Sequence, residues 1–465
     1  MKLLGKDDLF LKESVCLKID TLSSDGSGIA RREGDGFVFF VPGALPGEEV
    51  EARVILKKKH YAVTELQNIL KPHSQRTSPR CPWYGECGGC QLQHCSYSMQ
   101  LELKTQIVKE AFSRIAHISV EDVISSCIPS PKEWGYRNKA SFPVRKNSSG
   151  KNEVGFFKRR SHSLIPIDAC PILEPALNQM YGRFVHSLQK LNIDGYNEKK
   201  HSGILRHIIF RCGSFSRELL ACYVVRKHLS DSEIKRISQL WQNFVVPDAT
   251  FVGVIENENA KVGNTILGQN SRILYGQGEL KEILNSREIH YDGTAFFQVN
   301  SYQAAQLFAF CSDCLEKEEE NEALELYSGV GAMSLFLAPK FKRLTTIEEW
   351  PSAVEATKKN AALNKFSNII AYEGKAEDIV SNLKQNFNTV ILDPPRSGCD
   401  PKVIQQILEW KPEKVLYVAC NPATLARDVA LLHSGGYKLE KLQPFDMFPQ
   451  TVHVECVVLM SSVEK

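Results

Sequence analysis

The sequence predicts a multidomain protein: an N-terminal OB-like β-barrel, a central α+β region and a C-terminal doubly wound, Rossmann-like α/β domain. Three observations lead there. At 465 residues the chain exceeds one ordinary core, since single domains usually hold about 100–200 residues. Residues 15–70 alternate apolar and polar positions and are cut by turn signals at Asp25-Gly26, Gly34-Asp35-Gly36 and Pro42-Gly43, a pattern of short, closely spaced strands. Beyond residue 323, apolar runs such as Thr389-Val390-Ile391-Leu392 and Lys414-Val415-Leu416-Tyr417-Val418 alternate with helical stretches, as the strands and covering helices of a parallel sheet do. The expected divisions are residues 8–70, 71–290 and 291–465.

With 43% hydrophobic and 24% charged residues the composition is that of a folded protein, which excludes wholesale disorder. No run is apolar for long enough to cross a bilayer, and Met1 to Ser14 interleaves Lys and Asp with Leu where a secretion signal needs an unbroken apolar stretch. The expectation is a cytoplasmic protein with no membrane contact and no evident obligate protein partner. Its fourteen cysteines should then stay reduced, so those with unusual spacing read as metal ligands or nucleophiles.

The barrel is followed by such a group. Cys81, Cys87 and Cys90 form a C-x5-C-x2-C pattern in which Gly88 and Gly89 allow a tight loop. Four thiolates can hold zinc or an iron-sulfur cluster, and local spacing offers Cys95 as the fourth. A helix is expected over 97–115. The central region then reads mostly as strands, at 204–210 and 218–225, interrupted by helices at 175–188 and 231–242. Between Pro131 and Arg160, nine Lys or Arg residues face only Glu133 and Glu153, interleaved with Trp134, Tyr136, Phe142, Phe156 and Phe157. Basic groups neutralise phosphates and aromatic rings stack on bases, so this is either a single-stranded nucleic-acid footprint or a solvated basic face.

The C-terminal region is expected to open with an acidic helix end at 316–322, then a strand at 323–327 and the turn Ser328-Gly329-Val330-Gly331. A dinucleotide fold prefers a third glycine where this chain has Ser334, so nothing favours a pyrophosphate. Glu348 ends the second strand, placed to hydrogen-bond a ribose diol. Asp393-Pro394-Pro395-Arg396 follows the fourth strand and Cys420-Asn421-Pro422 the fifth, so Asp393 and Cys420 share the ligand edge. A free cysteine is commonly a core residue, but one placed there, with Pro422 ending the strand, suits a nucleophile. Glu455 begins the last strand, where a carboxylate can serve as a general base. Residues 438–443 and 453–460 are expected to pair as an antiparallel hairpin.

Taken together, Leu392-Asp393-Pro394-Pro395-Arg396-Ser397-Gly398, Cys420-Asn421-Pro422-Ala423-Thr424 and the segment from Asp446-Met447-Phe448-Pro449 to Glu455 closely resemble the RNA uracil-5-methyltransferases. Phe297-Gln298-Val299-Asn300 resembles that family's additional cofactor contact. The resemblance implies a class I methyltransferase domain that uses S-adenosylmethionine, with Cys420 as nucleophile, Glu455 as base, and Gln298, Tyr327, Glu348 and Asp393 around the cofactor. Methyltransferases acting on exocyclic amines carry an aromatic residue where Arg396 stands, which argues against N-methylation. Lys375 occupies a position where many class I enzymes place an acid for the adenine amino group. The front segment, with Asp25-Gly26-Ser27-Gly28-Ile29-Ala30 and Phe40-Val41-Pro42-Gly43-Ala44, looks like the RNA-binding TRAM domain. The resemblance also points to Cys81, Cys87, Cys90 and Cys170 as ligands of a [4Fe-4S] cluster, with zinc as the alternative, and to 23S ribosomal RNA as partner. Uridine-5 methylation of transfer RNA, cytosine-5 methylation of RNA and a catalytically silent RNA-binding assembly factor are the competing functions. Cytosine-5 enzymes pair a second cysteine with the motif after strand four, and here only Cys399 is near it.

Overall fold

The computed structural model describes residues 11–32, 34–147, 149–159, 161–383 and 387–463. The first ten residues, and with them the start of the first expected division and most of the segment read against a secretion signal, lie outside the described residues, as does Arg160.

Strands β1 (Ser14–Lys18), β2 (Thr21–Leu22), β3 (Ser27–Arg31), β4 (Val38–Pro42), β5 (Glu49–Lys57) and β6 (Tyr61–Lys71) form one sheet in the order β1-β5-β6-β4-β3-β2. Strand periodicity explains its core. In β5, Val50, Ala52 and Val54 turn inward onto Val15, Phe39 and Val41, while the charged residues between them face outward.

The cysteine loop leads into α1 (Tyr97–Ala111), whose cap Ser96 accepts from the Met99 amide at 3.2 Å, and the helix ends in a π-helical turn through Ala116. Val108 and Phe112 are buried together with Leu324, Leu326, Val390 and Leu392, so this end of α1 packs on the C-terminal sheet. The central sheet has the order β14-β13-β12-β11-β7-β8, built from β7 (Lys139–Lys146), β8 (Asn152–Val154), β11 (Leu205–Cys212), β12 (Glu218–Val225), β13 (Thr250–Glu258) and β14 (Asn270–Gly276). A small pair, β9 (Phe156–Phe157) and β10 (Leu164–Ile165), lies beside it, and α2 (Pro175–Ser187) and α3 (Asp231–Gln242) interrupt the strands. Phe142, Phe210 and Tyr223 bury one sheet face against Phe184 of α2 and Trp241 of α3. The opposite face, with Ile209, Leu220 and Cys222, shares a core with the C-terminal region. A hairpin of β15 (Glu279–Leu284) and β16 (Arg287–Asp292) belongs to that shared core, and β16 runs through residue 290.

The third sheet carries α4 (Ser301–Asp313), β17 (Glu318–Leu326), α5 (Ser334–Leu337), β18 (Phe341–Glu348), α6 (Pro351–Leu363), β19 (Ile369–Glu373), α7 (Ala376–Ile379), β20 (Thr389–Leu392), α8 (Pro401–Trp410), β21 (Lys414–Ala419), α9 (Pro422–Ser434), β22 (Tyr437–Phe445) and β23 (Glu455–Ser462). Its order is β19-β18-β17-β20-β21-β23-β22, parallel except for β23, which runs antiparallel to β21 and β22. The expected terminal hairpin is therefore present. Continuous apolar runs such as β20, buried at every position, are what a parallel strand covered on both faces requires. The order reverses between β17 and β20, and a crevice opens at the carboxyl ends of strands at such a switch point.

One expectation is corrected. The acidic run at 316–322 does not end a helix: α4 stops at Asp313 and β17 begins at Glu318. Strand pairing wins because β18 supplies cations alongside, Lys342 to Glu320 at 2.8 Å and Arg343 to Glu322 at 3.8 Å.

Candidate active site

The carboxyl ends of β17, β18, β20 and β21 line this crevice. After β17, Tyr327 takes φ +65°, Gly329 +56° and Gly331 +75°, turning the chain sharply. Gly331 has no alternative, because an added Cβ would sit 2.8 Å from Thr357 Cγ2. At the end of β18 the Glu348 carboxylate accepts from the amides of Gly329 at 2.9 Å and Trp350 at 3.0 Å. The acid thus braces the glycine turn.

Across the switch point, Asp393 follows β20 and Cys420 follows β21. The β21–β23 register pairs Ala419 with Cys456, which sets Cys420 across from Glu455. Asn421 caps α9 by accepting from the Ala423 amide at 3.1 Å, and its own amide donates to the Arg396 carbonyl at 3.1 Å. The two loops are joined by those bonds. Asp428 of α9 reinforces them, accepting from the Cys399 amide at 2.9 Å and the Tyr417 hydroxyl at 2.6 Å. Gly398, at φ +79°, has room for no side chain between Arg427 and Asp428.

The electrostatics of this corner are distinctive. Burial pushes the Cys420 thiol up to about 11, the Glu455 and Asp393 carboxyls add to that, and the Arg396 guanidinium opposes it. Glu455 is 3% exposed; burial raises its pKa well above the carboxylate range, Asp393 adds to the rise and Arg396 counters it. Asp393 keeps a solvent-facing edge, yet the packing round its carboxylate lifts it to about 7. Arg396 also donates to His453 Nδ1 at 2.9 Å, and burial holds that imidazole down near 4, so it stays neutral. A thiol, two proton-holding carboxyls and one cation therefore meet at the ligand edge.

Two residues here carried no role in the sequence reading, Glu325 and Phe296. Glu325, fully buried on β17, accepts from Ser334 Oγ at 2.6 Å while its other oxygen has no protein partner, and burial raises it to about 8. Phe296 is 70% exposed beside Gln298. Asn138 donates to the Gln298 carbonyl at 3.0 Å and to Ser301 Oγ at 2.8 Å. An acid inside a buried strand was the available signal for Glu325; a lone exposed ring offers none.

The basic stretch is in part a fold element. Tyr136 and Phe142 are wholly buried, Asn138 nearly so, and Arg145 is bound to Glu198, so they are not free to grip RNA. Strand alternation in β7 turns Phe142 inward, while Tyr136 donates to the Pro449 carbonyl and Asn138 to the Gln298 carbonyl. Half-buried Arg137 and Lys139 remain, with burial and the nearby Arg211 and Arg137 guanidinium groups lowering Lys139 to about 7.

Cys81, Cys87, Cys90 and Cys170 lie within electrostatic reach of one another, each raising a neighbour's affinity for its proton. Amides of Gly89 and of Ile172 and Leu173 donate towards Cys87 and Cys170. Cys95 sits apart, in an apolar cluster with Leu92, Met99 and Leu103. Among the described residues, however, no three such side chains close in as ligands of a single ion. The thiols converge without reaching coordination distance. Cys399, the candidate second cysteine of a cytosine enzyme, is 4% exposed and held between Tyr417, Tyr327 and Asp428.

A glycine turn and carboxylates at the switch point of a doubly wound sheet, facing a thiol and joined to a small β-sheet domain, are the marks of an RNA-modifying methyltransferase. The family described as tRNA (Uracil-5-)-methyltransferase matches residues 96–463, and the TRAM domain matches residues 13–66. The chain belongs to the tRNA (uracil-5-)-methyltransferase family and is an RNA methyltransferase with an N-terminal TRAM domain. Similar chains include uncharacterized RNA methyltransferases of Bacillus cereus, 34% identical over 97% of both chains, and of Gloeobacter violaceus, 36% identical over 96% of both. Among solved structures, the Pyrococcus abyssi tRNA (uracil-54, C5)-methyltransferase in complex with S-adenosyl-L-homocysteine superposes with a TM-score of 0.75 at 28% identity, covering 96% of this chain and all of that one. A transfer-RNA enzyme thus shares the whole architecture. No helix among the described residues is long and apolar enough to cross a membrane.

Proposed function

We propose that the protein transfers a methyl group from S-adenosylmethionine to carbon 5 of a uridine in RNA, with Cys420 as covalent nucleophile and Glu455 as base. The observation that carries this is the Cys420 thiol held among Glu455, Asp393 and Arg396 at the crevice beside the glycine turn. Uracil carbon 5 is too weak a nucleophile to attack a sulfonium methyl unaided. Half-buried Cys420 releases its thiol proton to water, and the thiolate Sγ adds to carbon 6 and moves the ring's electrons towards carbon 5. Arg396, the cation of the cluster, offsets the negative charge that develops. Carbon 5 then takes the methyl carbon. Glu455, acting as its carboxylate, removes the proton left on carbon 5, the burial that raises its pKa making it a strong base; the double bond reforms and the thiolate leaves.

Gln298, Tyr327, Glu348 and Asp393 surround the cofactor in this reading, whose bound form supplies a methyl sulfonium. The braced turn leaves room for a ribose diol and offers nothing to a pyrophosphate, and a relative of the same architecture holds the demethylated product. Carbons 5 and 6 are hidden in stacked RNA, so the uridine must leave the helix. In this reading exposed Phe296 stacks on a displaced base and half-buried Arg137 faces its phosphates, supported by the solvent access of both. The target implied by the family resemblance is 23S ribosomal RNA. Transfer RNA is the second reading, favoured by the full-length similarity to a transfer-RNA enzyme. Cys81, Cys87, Cys90 and Cys170 are proposed to hold a [4Fe-4S] cluster that orders the RNA-binding surface; their thiols face one another with amides donating to sulfur, the environment such a cluster needs.

The test uses RNA carrying 5-fluorouridine. Fluorine at carbon 5 cannot be removed as a proton is, so the expected result is an adduct linked through Cys420. Turnover of ordinary RNA without any adduct on the fluorinated RNA overturns the mechanism.

A further inference from the structure

Between β22 and β23 the chain crosses residues 446–454 before delivering Glu455. Four consecutive carbonyls of this loop are each held from a different part of the chain. Asn300 Nδ2 takes that of Met447 at 3.1 Å, Lys104 Nζ that of Phe448 at 3.1 Å, and the Tyr136 hydroxyl that of Pro449 at 3.0 Å. The amides of Gln91 and Leu92, in the cysteine loop, both donate to Gln450 at 3.0 Å.

Gln450 is the hinge of this arrangement. It adopts φ +72°, a left-handed conformation that is strained for a residue with a side chain. It is 2% exposed. Its amide donates to Gln100 Oε1 at 2.8 Å, and Gln100 Nε2 returns a bond to Gln450 Oε1 at 3.0 Å, closing a reciprocal pair with α1. The turn then feeds directly into the site: the His453 amide donates to Thr451 Oγ1 at 3.2 Å, His453 accepts from Arg396, and Glu455 follows two residues later. Strained backbone survives only where its surroundings over-determine it, and here they are the cysteine loop and α1.

We infer that Gln450 is a positioning residue through which the cysteine loop and α1 set the reach of Glu455 towards carbon 5. The inference rests on Glu455 being the base. It separates two steps: sulfur addition and methyl transfer depend on Cys420, anchored on β21 and α9, whereas proton removal depends on the held loop. The C5–H electrons must re-form the ring double bond while the C6–S bond breaks, and a displaced Glu455 slows this step alone.

The test is rapid-quench analysis of Gln450→Gly with uridine RNA. Glycine keeps the left-handed backbone and the amide bond to Gln100 Oε1, and drops only the side-chain bond from Gln100 Nε2. Expected are near-normal methylation of the bound RNA, release of product slowed roughly 10–100-fold, and a denaturant-resistant methylated adduct that accumulates. Gln450→Asn, which tolerates the same φ, should recover part of the release rate. Equal slowing of both steps, or release at the normal rate, overturns the inference. Should Gln450→Gly not fold, Gln100→Ala leaves Gln450 in place and must give the same accumulation. Failure of the wild-type protein to form any adduct on 5-fluorouridine RNA would instead strike the underlying mechanism.

Discussion

The molecule carries two thiol sites that share a residue type and differ in their neighbours. At the cysteine loop, burial pushes Cys90 up to about 12 and Cys170, brought in from the segment before α2, to about 11, and the groups adding to the rise are other thiols. Behind β21, burial pushes Cys420 to about 11, and the added influences are the carboxyls of Glu455 and Asp393 and the guanidinium of Arg396. Thiols gathered with thiols are useful once deprotonated together around a cation, because each thiolate otherwise repels the next. A single thiol beside carboxyls and a cation can lose its proton, attack, and leave again. The contrast teaches that surroundings, not the intrinsic acidity of the sulfur, divide holding from reacting.

The comparison can be broken most directly at sulfur. Cys420→Ala should lower methyl transfer by a factor on the order of 10⁴ or more, while cofactor affinity measured by calorimetry stays within about twofold. Comparable loss from Cys170→Ala measured on RNA already bound would erase the distinction. A second test sharpens the front site. Anaerobically purified protein should absorb broadly near ~400 nm; Cys170→Ser should abolish this band and Cys95→Ser should leave it. Colourless protein carrying one zinc per chain would replace the cluster with zinc.

A smaller effect tests the proton-rich character of the rear site. Glu325 has its folded-state pKa raised from 4.5 to about 8, so the folded chain keeps a proton that the unfolded chain releases. That contribution is complete below about pH 4.5 and is lost as pH rises to about 8, by roughly 1.4 kcal/mol per unit within the window. Glu325→Gln should flatten this slope in denaturant titrations at successive pH values. An unchanged slope would show that the β17 acid is not held protonated.

Much of this was legible in the chain itself. Continuous apolar runs gave away β20 and β21, and Cys420, Asp393 and Glu348 fell at strand ends where a doubly wound sheet gathers its ligands. The acidic run at 316–322 misled because helix and strand signals are both weak in a stretch of glutamates; cross-strand Lys342 and Arg343 decided it. Tyr136 misled for a related reason, since composition has no sense of direction and cannot show that this ring packs inward with its hydroxyl on the Pro449 carbonyl.

By itself the sequence determined what depends on neighbours along the chain: strand and helix periods, turn glycines, and which reactive side chains stand just past a strand. Only the tertiary structure decided what depends on residues far apart meeting. Lys104 and Gln100 reach across more than 340 positions to the loop before Glu455, and Asn138 spans 160 positions to Gln298. Local backbone preferences are written residue by residue, whereas burial, pKa and the strain held at Gln450 are properties of packed surroundings that no single stretch contains.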